Sequence, residues 1–476
     1  MTSLRRTAWL LVALLWPVAL LNYLDRQMLA AMKFSVMADI PSIGSEANWG
    51  RMLGQFKWVY AFLSPVGGYI ADRFSRRYTI CGSLFVWSAV TWTTGHVTNY
   101  DGLLLTRSLM GISEAFYIPA ALALIAEYHT GHTRSRAVGL HQMAIYVGVI
   151  VGGFSGYLAD APTVGWRLAF DACGIAGILY AVPLALLLRD APKPCLQSRK
   201  GTTPTRSLPR GGNSLRPRCE ESLSGEHLPT TGTAVPLPGG EGRGEGERLV
   251  PLDVPAKSSD ADAVTAPKDS VVQSAKELLG NGSFILLVLY FTLPALAGWV
   301  VRDWMPPILK QQFNIGQGKA GVSATLYWQT AAILGAGLGG WLADRWMRRN
   351  ARGRIFVSAI GMGFIIPALF GVGYAGSLGI AVTFLVLFGL GWGFFDCNNM
   401  PILCQIVRTE LRATGYGIMN LVSISCGGFA DWGFGTLRDL HVPLQVTFGI
   451  FAGVAAVSAV LVLLIRPRDT ERKFID

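Results

Sequence analysis

The chain has few charged residues and lacks the motifs that soluble enzymes use. Charged residues make up only 15% of its 476 residues, hydrophobic residues make up 51%, and the mean hydropathy is +0.39. Its seven cysteines never stand in C-x-x-C pairs, and no metal-ligand cluster, phosphate-binding loop or nucleophile elbow is present. A soluble multidomain enzyme and an ATP-driven pump are therefore excluded, and we expect no metal, no cofactor and no nucleic-acid partner.

Apolar windows dominate what is present, and each is long enough for a helix to cross a hydrocarbon layer of about 30 Å. The predicted spans form two groups of six, at 8–30, 52–71, 78–98, 102–126, 137–159 and 168–188, and at 283–301, 321–343, 354–374, 377–403, 413–435 and 444–465. We therefore predict an all-α integral membrane protein with 12 transmembrane helices, an N-terminal half at 1–190 and a C-terminal half at 283–476.

Residues 191–282 separate the two groups of spans and differ from them in composition. This segment has no Phe, Trp or Tyr and holds 11 of the 24 prolines. Such a sequence buries too little apolar surface to offset the entropy lost on ordering. We predict a disordered linker between the halves.

The excess of basic residues is placed in alternate short loops. Those arginines are Arg73, Arg76, Arg77, Arg134, Arg136, Arg345, Arg348, Arg349, Arg352, Arg354, Arg408 and Arg412. The positive-inside rule assigns these loops, the linker and both termini to the cytoplasm. The formal net charge of +11 therefore reports topology in a cell inner (plasma) membrane and does not indicate nucleic-acid binding.

One loop occurs twice, at the end of the second span and at the end of the eighth. Gly67-Gly-Tyr-Ile-Ala-Asp-Arg-Phe-Ser-Arg-Arg77 matches Gly339-Gly-Trp-Leu-Ala-Asp-Arg-Trp-Met-Arg-Arg349. Gly111-Ile-Ser-Glu114 with Pro119 likewise matches Gly393-Phe-Phe-Asp396 with Pro401. The repeats predict two pseudo-symmetric six-helix halves with a ligand site between them. The loop itself is either a cytoplasmic gate or a topology anchor, and its charged residues are Asp72, Arg73, Arg76, Arg77, Asp344, Arg345, Arg348 and Arg349.

The repeated G-x-x-x-D-R-x-x-R-R loop resembles the signature loop of the major facilitator superfamily. The motifs at 22–26, 56–60, 107–115 and 165–170 resemble those of the anion:cation symporters, which carry sugar acids and related organic anions with protons. The runs at 22–26, 103–107 and 133–136 resemble the Spinster lipid transporters. The resemblance implies the major facilitator fold and transport by alternating access.

Several ionisable residues lie inside predicted spans, where each charge costs roughly 2.5–3.5 kcal/mol. They are Asp25, Arg26, Lys57, Arg107, Glu114 and Asp396. Arg107, Gly111 and Glu114 share one helix face, which places a guanidinium and a carboxylate two turns apart. Burial favours the protonated form of a carboxylate and a neighbouring arginine opposes it, so an anion that binds the arginine favours proton uptake.

From this competition we predict proton coupling at Asp25 and Glu114, positions that the resemblance also supports. Substrate contacts are predicted at Arg26, Arg107, Lys57, Tyr60 and Asp396. The alternative is a fixed Asp25–Arg107 or Arg26–Glu114 salt bridge that only holds the N-terminal half together. Five further aromatic residues are interpreted as interface anchors, with stacking on a sugar-like substrate as the alternative: Trp299, Trp304, Tyr327, Trp328 and Trp392.

The predicted function is a monomeric, proton-coupled symporter of a small organic anion such as a sugar acid, and the protein is not an enzyme. The alternative is a Spinster-like transporter of lysolipids or other amphiphiles. A membrane-embedded sensor that signals through the linker is a third hypothesis.

Overall fold

The computed structural model describes residues 2–129, 132–190, 271–408 and 411–467. No strand occurs among these residues. Fifteen α-helices follow one another: α1 (Thr2–Ala31), α2 (Lys33–Asp39), α3 (Glu46–Arg73), α4 (Arg76–Thr94), α5 (Tyr100–Glu114), α6 (Tyr117–Tyr128), α7 (His132–Asp160), α8 (Gly165–Leu187), α9 (Val271–Leu279), α10 (Gly282–Phe313), α11 (Gln317–Met347), α12 (Gly353–Gly373), α13 (Leu378–Ile406), α14 (Arg412–Asp439) and α15 (Leu444–Leu464).

The twelve predicted spans are all present as helices, with α5 and α6 together forming the fourth. By length and apolar composition, eight of the twelve qualify as membrane-crossing segments. The other four, α3, α4, α11 and α14, include helices that carry buried polar groups, such as Lys57 in α3 and Asp431 in α14. Such groups find protein partners within the bundle, as Lys57 and Asp431 do with each other.

The two halves repeat the same helix pairings. In the N-terminal half α1 packs on α7, α3 on α5, and α4 on α8. In the C-terminal half α10 packs on α14, α11 on α13, and α12 on α15. The pairs correspond one to one in chain order, which confirms the predicted two-half architecture.

A break interrupts the fourth span directly after Glu114, where a single helix over 102–126 was predicted. Helix α5 ends at Glu114 and α6 begins at Tyr117. Pro119 has no N–H to donate to the carbonyl of Ala115, and its ring crowds that carbonyl, so the helix cannot continue regularly through this turn. The break lies beside the buried carboxylate of Glu114.

The ordered C-terminal half begins earlier than the predicted boundary at residue 283. Residues 191–270 of the predicted linker lie outside the described residues, whereas Val271–Leu279 form helix α9. Leu278 is buried, and α9 packs against α10 and α14. Val271–Leu279 is an amphipathic helix, but its nine residues are too few to cross a bilayer, so a prediction based on membrane-spanning windows assigns it to the linker.

The halves meet through two equivalent helix pairs, α3 with α14 and α7 with α11. We call the end of the bundle where α3 begins and α14 ends the closed end, and the end that carries Arg76 and Arg348 the basic end. The hydrogen bonds between halves, in the part of the chain that the structure describes, lie at the closed end or near the middle of the bundle.

Two aspartates form equivalent hydrogen bonds between the halves at the closed end. Asp439, the last residue of α14, accepts hydrogen bonds from the backbone N–H groups of Glu46 at 2.9 Å and Ala47 at 2.8 Å. Asp160, the last residue of α7, accepts from the backbone N–H of Gly318 at 2.9 Å. Each half thus caps the N-terminus of a helix in the other half, where orphan N–H groups and the helix dipole favour a carboxylate.

Candidate functional site

Arg26 and Glu114 form a buried ion pair between α1 and α5. The Nε of Arg26 donates to Oε2 of Glu114 at 2.6 Å, and its Nη2 donates to Oδ1 of Asn22 at 3.2 Å. The guanidinium lies 4.6 Å from the ring centroid of Phe56 and 5.2 Å from that of Tyr60. The Arg26–Glu114 bridge considered from the sequence is therefore present, and Tyr60 contacts its cation.

Asp25 and Arg107 are buried but do not form the other bridge considered. One carboxylate oxygen of Asp25 accepts from Oγ1 of Thr91 at 3.1 Å, and the other has no hydrogen-bond partner. Nε and Nη2 of Arg107 also lack partners, although only 2% of the residue is exposed. No ion pair joins these two residues in the described part of the chain. Buried donors without acceptors are costly, so Arg107 is poised to bind an acceptor that enters the site.

A small pocket of about 30 Å³ lies beside Arg107, between the two halves. Three other basic residues line the pocket, namely Arg26, Lys57 and Arg302. Asp303, Phe56 and Trp299 complete this part of its wall. The volume suffices for one or two water molecules or a compact polar group. The electrostatic surroundings of this space are thus set by four basic side chains and the carboxylate of Asp303.

A larger cavity of about 220 Å³ adjoins Arg302 and is lined mainly by aromatic and apolar side chains. Its walls include Trp299, Trp328, Trp392, Phe291, Phe395, Tyr23, Tyr146 and Tyr416. Trp299, Trp328 and Trp392 therefore line a cavity, and their interpretation as interface anchors was wrong. The hydropathy pattern cannot distinguish an aromatic residue at a span end from one that faces the bundle interior.

Asp396 also lines this larger cavity, and its side chain is exposed there. It is the counterpart of Glu114 in the repeat, yet the two carboxylates occupy different surroundings. Glu114 is buried against Arg26, whereas Asp396 faces open space. The structure thus places the predicted substrate contact at Asp396 on the wall of the cavity.

Lys57 is a predicted substrate contact that the structure places in an ion triad. Its ammonium binds Oδ2 of Asp303 at 2.5 Å and also binds Oδ2 of Asp431. The Trp299 ring centroid lies 4.2 Å from the same nitrogen. Because both carboxylates belong to the C-terminal half, Lys57 joins the two halves. Its charge is engaged by the protein, although its side chain still borders the small pocket.

The repeated basic loops lie at the opposite end from the closed end. The side chains of Asp72 and Arg73 lie outside the described residues. Arg76 forms an ion pair with Glu127, and Nη2 of Arg77 donates to the carbonyl of Ala185, both within the N-terminal half. Nη2 of Arg354 lies 3.8 Å from Oδ1 of Asp344. Arg345, Arg348 and Arg349 are exposed, as is Asp344. These contacts of Arg76, Arg77 and Arg354 each join two residues of the same half.

Three charged residues of the site were missed from the sequence. Arg302 and Asp303 fell just outside because the seventh span was predicted to end at 301, whereas α10 continues to Phe313. Asp431 lies inside the predicted eleventh span and was overlooked. An intramembrane carboxylate is itself a signal for function, so the sequence contained the information needed to find Asp431.

Comparison with known proteins agrees with this architecture. Protein spinster homolog 1 of Mus musculus is 32% identical over 200 residues, which cover 41% of this chain and 37% of that protein. Sphingosine-1-phosphate transporter SPNS2 of Xenopus tropicalis is 28% identical over 192 residues, covering 40% of this chain and 37% of that protein. The chain thus matches little more than a third of the length of these relatives.

A solved structure shares the fold over nearly the whole length. It is a bacterial homolog to the human lysosomal transporter Spinster, in an inward-facing and occupied conformation. It superposes with a TM-score of 0.69 at 18% identity, covering 97% of each chain. The family model for the Major Facilitator Superfamily matches residues 15–431. The chain therefore belongs to the Major Facilitator Superfamily of membrane transporters, as the repeated loops predicted.

Proposed function

We propose that this protein is a proton-coupled transporter of an anionic amphiphile, such as a lysolipid with a phosphate headgroup. The headgroup would bind among Arg26, Arg107 and Arg302, and the apolar part would occupy the aromatic cavity. The single observation that carries this proposal is the pair of unpartnered, buried guanidinium nitrogens of Arg107 beside a cationic pocket.

The anionic character of the substrate follows from the donors around the small pocket. A phosphate or carboxylate supplies several acceptor oxygens, and guanidinium groups bind such groups in bidentate fashion. An uncharged hydroxyl group would satisfy fewer donors and would leave the cationic surroundings uncompensated. Hydrogen bonds to charged groups contribute about 1.5–3 kcal/mol each, so they distinguish anions strongly from neutral analogues.

An amphiphile fits the second cavity better than a sugar acid does. A sugar acid carries hydroxyl groups around its ring, and each needs a polar partner when it is buried. The cavity offers Asp396, Gln142, Gln329 and Asn420 for that purpose, but most of its lining is apolar or aromatic. The similarity to Spinster proteins, one of them named as a sphingosine-1-phosphate transporter, supports the same choice. Sugar-acid symport, predicted first from the sequence, is the alternative to test.

Proton coupling is proposed at Glu114 and Asp25. An anion that binds Arg26 competes with Glu114 for the guanidinium, and the released carboxylate then has no counter-charge. A buried, uncompensated carboxylate is neutralised by protonation. Asp25 lies next to Arg26 with one oxygen unpartnered, so it is the second candidate for the same proton.

The positive-inside rule supports a cytoplasmic location for the basic end, both termini and the linker of a plasma-membrane protein. The closed end then faces outward, and substrate would reach the cavity from the cytoplasmic side in this conformation. In the opposite conformation we propose that the repeated loops at Asp72–Arg77 and Asp344–Arg349 close the basic end, as a gate.

The test uses proteoliposomes loaded with a pH-sensitive dye. They are challenged with a lysophosphatidate, with a monoacylglycerol of the same chain length, and with gluconate. We expect lysophosphatidate alone to drive acidification. Glu114→Gln should abolish it, and Arg107→Gln should weaken apparent affinity by about 30-fold or more, since truncating a buried charged partner costs at least about 2 kcal/mol. Arg466→Gln, an exposed arginine far from the site, is the matched control.

Three other outcomes would contradict the proposal in different ways. A response to gluconate alone would show that the substrate is a sugar acid and not an amphiphile. An equal response to the monoacylglycerol would show that the substrate does not need an anionic headgroup. Uptake of radiolabelled lysophosphatidate without acidification would leave a transporter that is not coupled to protons.

A further inference from the structure

The Lys57 triad has a charge arrangement that the proposed transport mechanism does not use. One ammonium from the N-terminal half binds two carboxylates from the C-terminal half, Asp303 and Asp431. Lys57 is 3% exposed and Asp431 is fully buried. Oδ1 of Asp431 has no hydrogen-bond partner. The site therefore lies away from bulk water, where charges must be balanced locally.

The two carboxylates lie close together because both bind the same nitrogen atom. Their oxygens can be no farther apart than the sum of two short hydrogen bonds. In the closed structure the ammonium of Lys57 supplies the positive charge that faces both carboxylates. If the halves separate there, Lys57 leaves with α3, and Asp303 and Asp431 remain side by side on α10 and α14. Two adjacent carboxylates without a cation do not both stay ionised.

The charged groups on the neighbouring helices do not remove this imbalance. Arg26 of α1 and Arg107 of α5 border the same pocket but belong to the N-terminal half. Lys33 of α2 lies 4.6 Å from the Trp304 ring centroid and pairs with Glu46, also in the N-terminal half. Lys310 of α10 and Arg438 of α14 also belong to the C-terminal half, but each lies seven residues beyond its carboxylate, and Arg438 donates to Gln311. Arg302, which precedes Asp303 and lines the same pocket, is the C-terminal cation next to the pair. It balances one of the two carboxylates, which leaves one negative charge.

We propose that Asp303 and Asp431 form a second proton-binding site, which takes up one proton when the closed end opens and releases it when Lys57 returns. The inference rests on the proposed proton coupling but uses residues separate from Asp25 and Glu114. In each cycle the proton enters from the side that the closed end faces and leaves after that end has shut. The triad is thus both a latch between the halves and a carrier of protons.

The test measures opening of the closed end as a function of pH. Spin labels are attached at Thr98→Cys and Gln445→Cys, exposed positions at the closed end of the two halves, in full-length protein whose native cysteines have been replaced. Pulsed dipolar spectroscopy then gives the ratio of open to closed molecules. Because the open state binds more protons, we expect this ratio to rise as pH falls, by up to tenfold per pH unit for each proton taken up.

Two isosteric variants on different helices test the site itself. Asp303→Asn and Asp431→Asn each leave a single carboxylate, which Arg302 balances after opening. The slope of the logarithm of the open-to-closed ratio against pH gives the number of protons taken up on opening, and we expect this number to decrease by one in either variant. Lys57→Met should give the same decrease, because the carboxylate pair then holds a proton in both states. The control Asp101→Asn removes an exposed carboxylate of the N-terminal half at the same end and should leave the slope unchanged.

Wild-type pH dependence in both asparagine variants would overturn the inference, as would an absence of pH dependence in the wild type. If the dependence disappears only in Asp25→Asn or Glu114→Gln, the triad is not a proton site and the proposed coupling still stands. If substrate-driven acidification of proteoliposomes is also absent, the proposed function fails as well.

Discussion

The two aspartates that cap helices across the interface make a quantitative prediction about the conformational equilibrium. Replacing Asp439 with alanine removes the acceptor of two backbone N–H groups at the start of α3, at 2.9 and 2.8 Å. Loss of a helix N-cap costs about 0.5–2 kcal/mol, and a carboxylate at a helix N-terminus contributes about 0.3–1 kcal/mol. Since Asp439 is exposed, we take about 1–2 kcal/mol for the two effects together.

This cost applies to the closed state alone, because opening the closed end already exposes these N–H groups to water. The ratio of closed to open molecules should therefore fall roughly 5- to 30-fold in Asp439→Ala. The labelled pair at Thr98 and Gln445 reports this ratio directly. Asp190 provides a matched control, because it accepts from the backbone N–H of Arg77 at 2.9 Å at the start of α4, within one half.

We expect Asp190→Ala to lower the thermal stability of the protein while leaving the closed-to-open ratio unchanged. The reasoning would be refuted if Asp439→Ala left the ratio at its wild-type value, since the cap would then contribute nothing to closure. An equal shift in Asp190→Ala would also refute it, because the effect could then not arise from contacts between the halves.

Two further predictions concern the closed end and the cavity. A Cβ at Gly321 of α11 would overlap the carbonyl oxygen of Gly153 in the other half, so Gly321→Ala should favour the open state in the same distance measurement. Gly337→Ala on the same helix, where a Cβ meets nothing within 4 Å, should have no effect. Arg302→Gln should weaken lysophosphatidate binding by about tenfold or more, measured by equilibrium binding of the radiolabelled lipid. Binding of a monoacylglycerol should change little, and an equal loss for both lipids would show that Arg302 only shapes the cavity.

The helices were predictable because membrane insertion imposes a simple rule on the sequence. Most of the spans carry the run of about twenty largely apolar residues that a bilayer requires, and such a run is visible without knowledge of tertiary contacts. The same rule made the ends of α10 hard to place, since its last turns lie within protein and carry Arg302 and Asp303. Hydropathy predicts where a helix crosses lipid, and it does not predict where a helix ends.

The partners of the buried charges were predictable only in part. The spacing of Arg107 and Glu114 placed both on one helix face, and the sequence then allowed two bridges to α1. Which bridge forms depends on the rotation of α1 against α5, and the structure pairs Arg26 with Glu114. The partners of Lys57 lie 246 and 374 residues away in the chain, and nothing local in the sequence indicates them.

The charges around the interface explain why an anion and a proton would move together on the proposed function. Near the small pocket and the triad, the N-terminal half contributes three cations, Arg26, Lys57 and Arg107, and two carboxylates, Asp25 and Glu114. The C-terminal half contributes one cation, Arg302, and two carboxylates, Asp303 and Asp431. The halves therefore carry opposite net charges of one unit across the interface, and their attraction favours closure. A singly ionised phosphate headgroup, the form that low pH favours, neutralises the N-terminal half. A proton bound by the Asp303–Asp431 pair, the second site proposed above, neutralises the C-terminal half.

Either ligand alone leaves one half with an uncompensated charge in a low-dielectric environment, which is costly. Both ligands together leave two neutral halves that can separate without that cost. We therefore expect lysophosphatidate and low pH together to open the closed end more than the product of their separate effects, as measured with the labels at Thr98 and Gln445. Strictly multiplicative effects would mean that the two ligands act independently, and electrostatic coupling across the interface would then be the wrong explanation for symport.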